Sequence, residues 1–399
     1  MATSYLTPGI YVEEVSTGPK PLESVGTSTA GFVGRAPDTE ARLHEPVPIN
    51  NWMQFLREFA QGRDVRSTHL ARAVYGFFEN GGRRCFVVNI GDSPSLLGSG
   101  RRREGLDVLR EVDEVAMVAA PGFTSAMDYD ALLSHAEQMQ DRVAILDAPE
   151  DATVEQLTRV ATAEAPGAGA PPAARGAKAR ASKYGAYYYP WVSMRDPLAP
   201  QTLVNAPPSG HMAGIYARVD ALRGVHKPPA NEVVRAAVGL PVQVTREEQG
   251  ELNQAGVNCI RFFPREGIKV WGARTLSEDP EWRYLNVRRL FNMVEESIGR
   301  GTSWVVFEPN DATLQGSIRR DVSAYLKRLW RDGALVGRTP EEAFFVKCDP
   351  EVNPPEVVDA GQIIAVIGIA PVKPAEFIIF RIGQHAAGAA TEKEEVTRG

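Results

Sequence analysis

The sequence predicts a mixed α/β and α+β fold with an extended arm at each end, and three observations carry that expectation. Between residues 85 and 192 short apolar runs alternate with amphipathic stretches, the pattern of a parallel sheet with crossover helices. Nearer the carboxyl end, apolar residues recur at helical spacing in two long stretches: Val287, Leu290, Phe291, Val294 and Ile298, then Leu314, Ile318, Val322, Tyr325, Leu326 and Leu329. At both termini, short β-branched runs adjoin Pro and Gly breakers.

The chain is organised around its carboxyl-terminal stretch, residues 362–381. Two apolar runs, 363–370 and 377–382, are too short and too rich in β-branched and aromatic residues for helices, so both are expected as strands. They contain Ile363, Ile364, Val366, Ile378 and Phe380. Pro371 and Pro374 lack an amide proton, which places their link at a sheet edge or in a bend. At the other end, Ile10, Tyr11, Val12, Glu13, Glu14 and Val15 alternate after a Pro8-Gly9 breaker, and the extended residues 16–21 follow. A strand on such a tether has no local partner. Either it folds back onto its own chain, or it adds itself to the sheet edge of another copy.

Taken in order, the small residues from Ser24 suit a closely packed strand ending near Gly34. A helix is expected over 51–59 with Trp52, Met53, Phe55, Leu56 and Phe59 on one face. The next runs over 68–78, capped by Thr68, with Leu70, Val74, Phe77 and Phe78 directed inward and Asn80-Gly81-Gly82 as its stop. Strands at 85–90, 115–120, 143–147 and 186–192 enclose helices near 129–140 and 154–163. Residues 163–183 are low in complexity and read as a loop, with Arg175, Lys178, Arg180 and Lys183 solvated. Residues 207–231, dense in Gly and Pro, read as one irregular path leading to a helix after Pro229. Thr245 and Glu248 have capping-box spacing. Strands are then expected at 259–263, 268–271, 304–307 (between the two long helices) and 344–347.

Composition bounds the function. At 399 residues, 43% hydrophobic and 24% charged, the chain suits a well-cored protein of two or three domains. A net charge of -6 removes the general basic footprint of a phosphate-backbone binder. No apolar run approaches the ~18 residues of a membrane span, and the amino end lacks a leader pattern, so folding in the cytoplasm is expected. Cys85, Cys259 and Cys348 are odd in number, far apart and set in apolar runs, as inert core thiols are.

The search for chemistry finds little. The histidines show no ligand spacing, and no cofactor or metal is expected. Gly26 to Gly31 misses the nucleophile-elbow spacing by one place, and Gly98-Ser99-Gly100 lacks the third glycine of a dinucleotide fingerprint. Asp147, Glu150 and Asp151 read as surface charge, and the aromatic run 187–191 as core or interface. The best enzyme lead is the carboxyl ends of two expected parallel strands, at Pro121 and Pro149.

Seven stretches, in order, carry a resemblance: residues 7–15 (TPGIYVEEV), 27–34 (TSTAGFVG), 78–85 (FENGGRRC), 186–191 (AYYYPW), 208–231, 286–289 (NVRR) and 304–310 (WVVFEPN). Together they resemble the tail sheath proteins of contractile injection systems, a family that includes contractile phage tails, R-type pyocins and extracellular phage-tail-like particles. The resemblance implies a non-enzymatic subunit that forms a helical or stacked-ring homo-oligomer around an inner tube, in company with baseplate and cap proteins. It also implies cytoplasmic assembly into a phage-tail-like particle, without nucleic-acid contact or membrane insertion.

In such a protein the terminal arms add strands to neighbours, which assigns exchange to Ile10, Tyr11, Val12, Glu13, Val15, Ile363, Ile364, Val366, Ile378 and Phe380. Polar surfaces that break and reform between bodies, or against the tube, are expected at Arg283, Arg288, Arg319, Arg320, Asp321 and Lys327, placed on the outer faces of the long helices. The corresponding division is an amino-terminal arm (1–22), a core from both chain ends (23–84 and 207–361), an inserted α/β domain (85–206) with its loop at 163–182, a carboxyl-terminal strand pair (362–384) and a disordered tail (385–399). The loop departs from the family pattern. A static shell protein, and an α/β enzyme with a site near Pro121 and Pro149, are the competing readings.

Overall fold

A computed structural model describes residues 22–62, 65–98, 103–161 and 176–379. The amino-terminal strand at Ile10, Tyr11, Val12, Glu13 and Val15 lies outside the described residues, as do Phe380, Arg175 and most of the loop at 163–182.

The elements run β1 (Ala30–Gly34), β2 (Val47–Ile49), α1 (Trp52–Phe59), α2 (His69–Glu79), β3 (Cys85–Asn89), β4 (Met117–Ala119), α3 (Ala126–Met139), β5 (Val143–Asp147) and α4 (Val154–Leu157). They continue with β6 (Gly185–Tyr189), β7 (Val192–Arg195), β8 (Leu203–Ala206), α5 (Ser209–Arg223), β9 (Glu232–Val233), β10 (Ala237–Gly239), α6 (Arg246–Gln254), β11 (Val257–Phe263) and β12 (Gly267–Val270). The last are α7 (Leu285–Gly301), α8 (Ala312–Arg331), α9 (Pro340–Ala343), β13 (Phe344–Lys347), α10 (Pro355–Asp359) and β14 (Val366–Ile369).

Nine strands form one sheet in the order β2-β3-β1-β4-β5-β6-β11-β12-β9. The run from β3 to β11 is parallel, with antiparallel pairs at either side. Because strand side chains alternate, Phe32, Val87, Ile145 and Tyr188 enter one apolar cluster with α1, α2 and α5. Val33, Val88, Leu146 and Tyr187 enter a second cluster on the other face. A third lies between α7 and α8, which cover the β13–β14 sheet and hold Leu22 and Val225. Each fully buried aliphatic or aromatic side chain contributes about 1.5 to 3 kcal/mol.

Local signals hold well. Thr68 Oγ1 accepts from Ala71 N at 3.2 Å, and Thr245 with Glu248 forms a reciprocal capping box. β5 and β13 have the expected bounds.

Several expectations are overturned. Residues 209–223 are a helix with buried residues all round its first eleven positions, so no polar face marks it and its glycines mimic turns. Those glycines allow close packing on α2: a Cβ on Gly210 would sit 2.2 Å from the Ala73 carbonyl oxygen, and one on Gly214 2.4 Å from that of Phe77. The chain after Pro229 forms short strands β9 and β10 instead of a helix. Residues 303–305 are a single 3-10 turn, and α4 stops at Leu157. Met53 faces solvent. Of the strand expected over 377–382, residues 377–379 lie in no strand and 380–382 lie outside the described residues. Arg180 is ion-paired to Asp130 and Glu137, and Lys183 stands 4.6 Å from the Trp282 ring, so neither is simply solvated. The sheet also crosses the boundary expected at residue 85, since β1 lies between β3 and β4.

Candidate assembly surface

The surface begins at β13 and β14, an antiparallel pair in the register Phe344↔Ile369 to Lys347↔Val366, to which no third named strand adds among the described residues. A two-stranded sheet has two edges with backbone groups left for another strand. Ahead of β14, Asn353 occupies both backbone groups of Ile364: Ile364 N donates to Oδ1 at 2.6 Å, and Nδ2 donates to Ile364 O at 2.9 Å. Ile363 packs on the third cluster, while Ile364, Val366 and Phe345 are exposed apolar residues, Phe345 at 56%. A groove of about 550 Å³ runs between α8 and β13, lined by Arg320, Ala324, Lys327, Phe344 and Phe345. Its lining sets the apolar Phe344 and Phe345 beside the charges of Arg320, Lys327 and Glu341.

Past β14 the chain is held at Val336, whose N–H donates to Ala370 O at 2.8 Å, and at Ala334, whose carbonyl accepts from Val372 N at 3.2 Å. It is then caught at Glu376, whose carboxylate accepts from Arg274 Nε (2.9 Å) and Nη2 (2.6 Å), Asn253 Nδ2 (2.8 Å) and the Tyr284 hydroxyl (3.2 Å). Phe377, Ile378 and Ile379 follow it, exposed, with Ile378 at 74%. Sequence reasoning missed Glu376 because its donors come from three distant stretches. The visible signal was one acid set between apolar runs.

The charged candidates divide. Arg319, Arg320 and Lys327 are exposed on α8, and Arg283 is half-buried just ahead of α7. Arg288 and Asp321 are not on outer faces. Arg288 is 1% exposed, donates from Nε to Asn292 Oδ1 at 2.7 Å and from Nη2 to Glu295 at 3.1 Å, and its guanidinium carbon stands 4.4 Å from the Trp282 ring. Asn292 and Glu295 are four and seven places on, one helical face, and that spacing was the available signal. Asp321 is buried, with Oδ1 3.4 Å from Arg320 Nε.

At the strand ends that carried the enzyme lead, the charged groups have structural partners. Asp147 is buried and accepts from Ser209 N and Oγ, both at 2.7 Å, and from Gly122 N at 3.4 Å. It therefore caps α5, whose Pro208 supplies no side-chain cap. Burial pushes its carboxyl up to about 7, against the pull of the Ser209 and Gly122 donors. Glu150 accepts from Asn205 Nδ2 at 2.7 Å, a partner that Asp147 does not share. A cavity of about 430 Å³ beside Pro121 is lined by Arg35, His69 and Arg72, but Arg72 is engaged by Ser67 Oγ, Asn205 O and Asp196. Among the described residues no His, Cys, Asp and Glu cluster could hold a metal ion, and no helix is long and apolar enough to cross a membrane. All three cysteines are buried and free, and burial pushes the Cys259 thiol up to about 12.

Comparison with known proteins bears on this surface. Residues 104–276 match the phage tail sheath protein central domain, and residues 277–384 the phage tail sheath C-terminal domain. The chain is 31% identical to a chain of the contracted sheath complex of PVC, an extracellular contractile injection system, with a TM-score of 0.75 over 96% of this chain and 99% of that one. It is 30% identical to a chain in the baseplate of the anti-feeding prophage, with a TM-score of 0.75 over 96% of this chain and all of the other (100%). The tail sheath protein of Enterobacteria phage T4 is 27% identical over 187 residues, 46% of this chain and 28% of that protein. The chain thus covers about a quarter of the length of the first curated relatives it matches, 25% and 28%.

Proposed function

Because the chain belongs to the tail sheath proteins of contractile injection systems, we propose that it is the structural subunit that polymerises around an inner tube and shortens to drive that tube into a target. The observation that supports this reading is the β13–β14 pair, to which no third named strand adds among the described residues, beside exposed apolar residues, in a chain whose amino end reads in sequence as a strand on a Pro/Gly tether. Strand addition satisfies both: Ile10, Tyr11, Val12, Glu13 and Val15 of one copy extend the sheet of the next, and Ile378 and Phe380 continue the arm at the other end.

One strand holds weakly, at about 0.5 to 1.5 kcal/mol per net hydrogen bond. Links from every subunit to several neighbours make the lattice durable while the bodies rotate. Contraction is then a rigid-body rearrangement in which strand pairings persist and contacts between bodies change. Arg319, Arg320 and Lys327 are the exposed charges that make and break such contacts, with a neighbour or with the tube. Baseplate and cap proteins hold the extended state, and the particle is assembled in the cytoplasm. The subunit acts without catalysis.

The test is deletion of residues 1–20. The shortened protein is expected to fold with an unchanged thermal midpoint and to form no tubes under the electron microscope. Tubes of normal length from that deletion would refute the exchange.

A further inference from the structure

The clasp at Glu376 is more than an exposed segment needs. From Val372 to Ile379 the chain has no helix or strand, and its hydrogen bonds to the described body beyond Val372 run through the Glu376 carboxylate. That one side chain accepts four bonds, two from the planar fork of Arg274, the geometry that best matches a carboxylate. Arg274 is itself fixed: Nη1 donates to Asn253 O at 2.8 Å, and its backbone N–H to Asn258 Oδ1 at 2.7 Å. Asn258 belongs to β11 and donates to Tyr187 O of β6 at 3.2 Å. The clasp is thereby continuous with the middle of the nine-stranded sheet. Burial pushes the Glu376 carboxyl up, but the Arg274, Asn253 and Tyr284 donors outweigh it and hold it below the usual range, so it is ionised at neutral pH.

We propose that Glu376 is the mechanical anchor of the carboxyl-terminal arm: held by Arg274, Asn253 and Tyr284, it passes tension from the arm into the large sheet. The inference rests on the reading that this arm is shared between copies. Without the anchor, a pull beyond Phe377 would peel residues 373–372 and then β14 from β13, one hydrogen bond at a time. With it, four bonds are loaded together, two of them charge-assisted, before the β13–β14 ladder feels any load. The anchor also fixes where Phe377, Ile378 and Ile379 leave the body, which sets the register a neighbour meets.

The experiment compares the full chain with E376A, E376Q, E376D and a truncation that removes residues 377–399. Each unassembled protein is melted, and tube formation is followed by electron microscopy across protein concentration. The truncation is expected to form no tubes. E376A and E376Q are expected to melt within about 3 °C of the full chain, to need at least about tenfold more protein to form tubes, and to give short broken ones, with E376D partly restored. If E376A does not fold, E376Q, which keeps the side-chain shape, decides. Normal tubes at normal concentration from the folded substitution, with none from the truncation, would overturn the anchor and leave the shared arm standing. Normal tubes from the truncation would overturn the shared arm and the anchor with it.

Discussion

Arg289 and Asp220 face each other as a two-bond ion pair, Nη1 to Oδ1 at 2.9 Å and Nη2 to Oδ2 at 2.6 Å, with only 3% and 4% of their side chains exposed. The pair joins α7 to α5, and Thr27 closes it: its hydroxyl donates to Asp220 Oδ2 at 2.6 Å while its carbonyl accepts from Arg289 Nη2 at 3.1 Å. The carboxyl-terminal helices, a helix under the large sheet and the chain entering β1 meet at one buried charge.

Removing one partner leaves the other charged and dry, so D220A or R289A is expected to cost about 3 to 5 kcal/mol, whereas the double replacement D220L with R289M costs much less. Urea unfolding of the four proteins, arranged as a double-mutant cycle, reads the difference.

The α2–α5 contact predicts a contrast among glycines. G210A and G214A drive a methyl into the α2 backbone and are expected to destabilise by about 2 kcal/mol or more. G250A, in the middle of α6 with nothing within 4 Å, is expected to stabilise by about 0.5 to 1 kcal/mol. Equal effects at Gly210 and Gly250 in thermal melts would contradict the packing described.

His211 packs against Gly76 with both ring nitrogens unpartnered, and burial lowers its pKa to about 4 from 6.5. The unfolded chain binds the proton first as pH falls, so stability is fully present above about 6.5 and is lost as pH drops toward 4. Relative to H211M, the wild type is expected to lose on the order of 3 kcal/mol across that window. Unfolding curves at several pH values check it, and parallel curves for the two proteins would exclude His211 as the cause.

The charged candidates separate by burial. R319E with K327E is expected to change stability by less than about 0.5 kcal/mol and to reduce tube formation most at low salt. R288A removes a buried guanidinium from the Trp282 ring and is expected to cost about 2 to 4 kcal/mol before assembly is considered. Melting of the unassembled proteins distinguishes the two classes.

What was legible in the residues alone was whatever neighbours along the chain decide. The caps at Thr68 and Thr245 depend on contacts three residues apart. Strands β5 and β13 are bounded by their own composition, and α8 and the later turns of α7 show a helical period because one face of each meets solvent. The family likeness was visible for the same reason, as short stretches kept in order. Tertiary structure alone decided the rest. Helix α5 is covered on every side, which erases its period, and its glycines answer to α2 instead of to a turn. The Asp147 cap, the Arg289 pair and the Glu376 clasp each join groups far apart in sequence, and such partners are specified by where the sheet and helices bring them, because burial makes an unpaired charge too costly to leave.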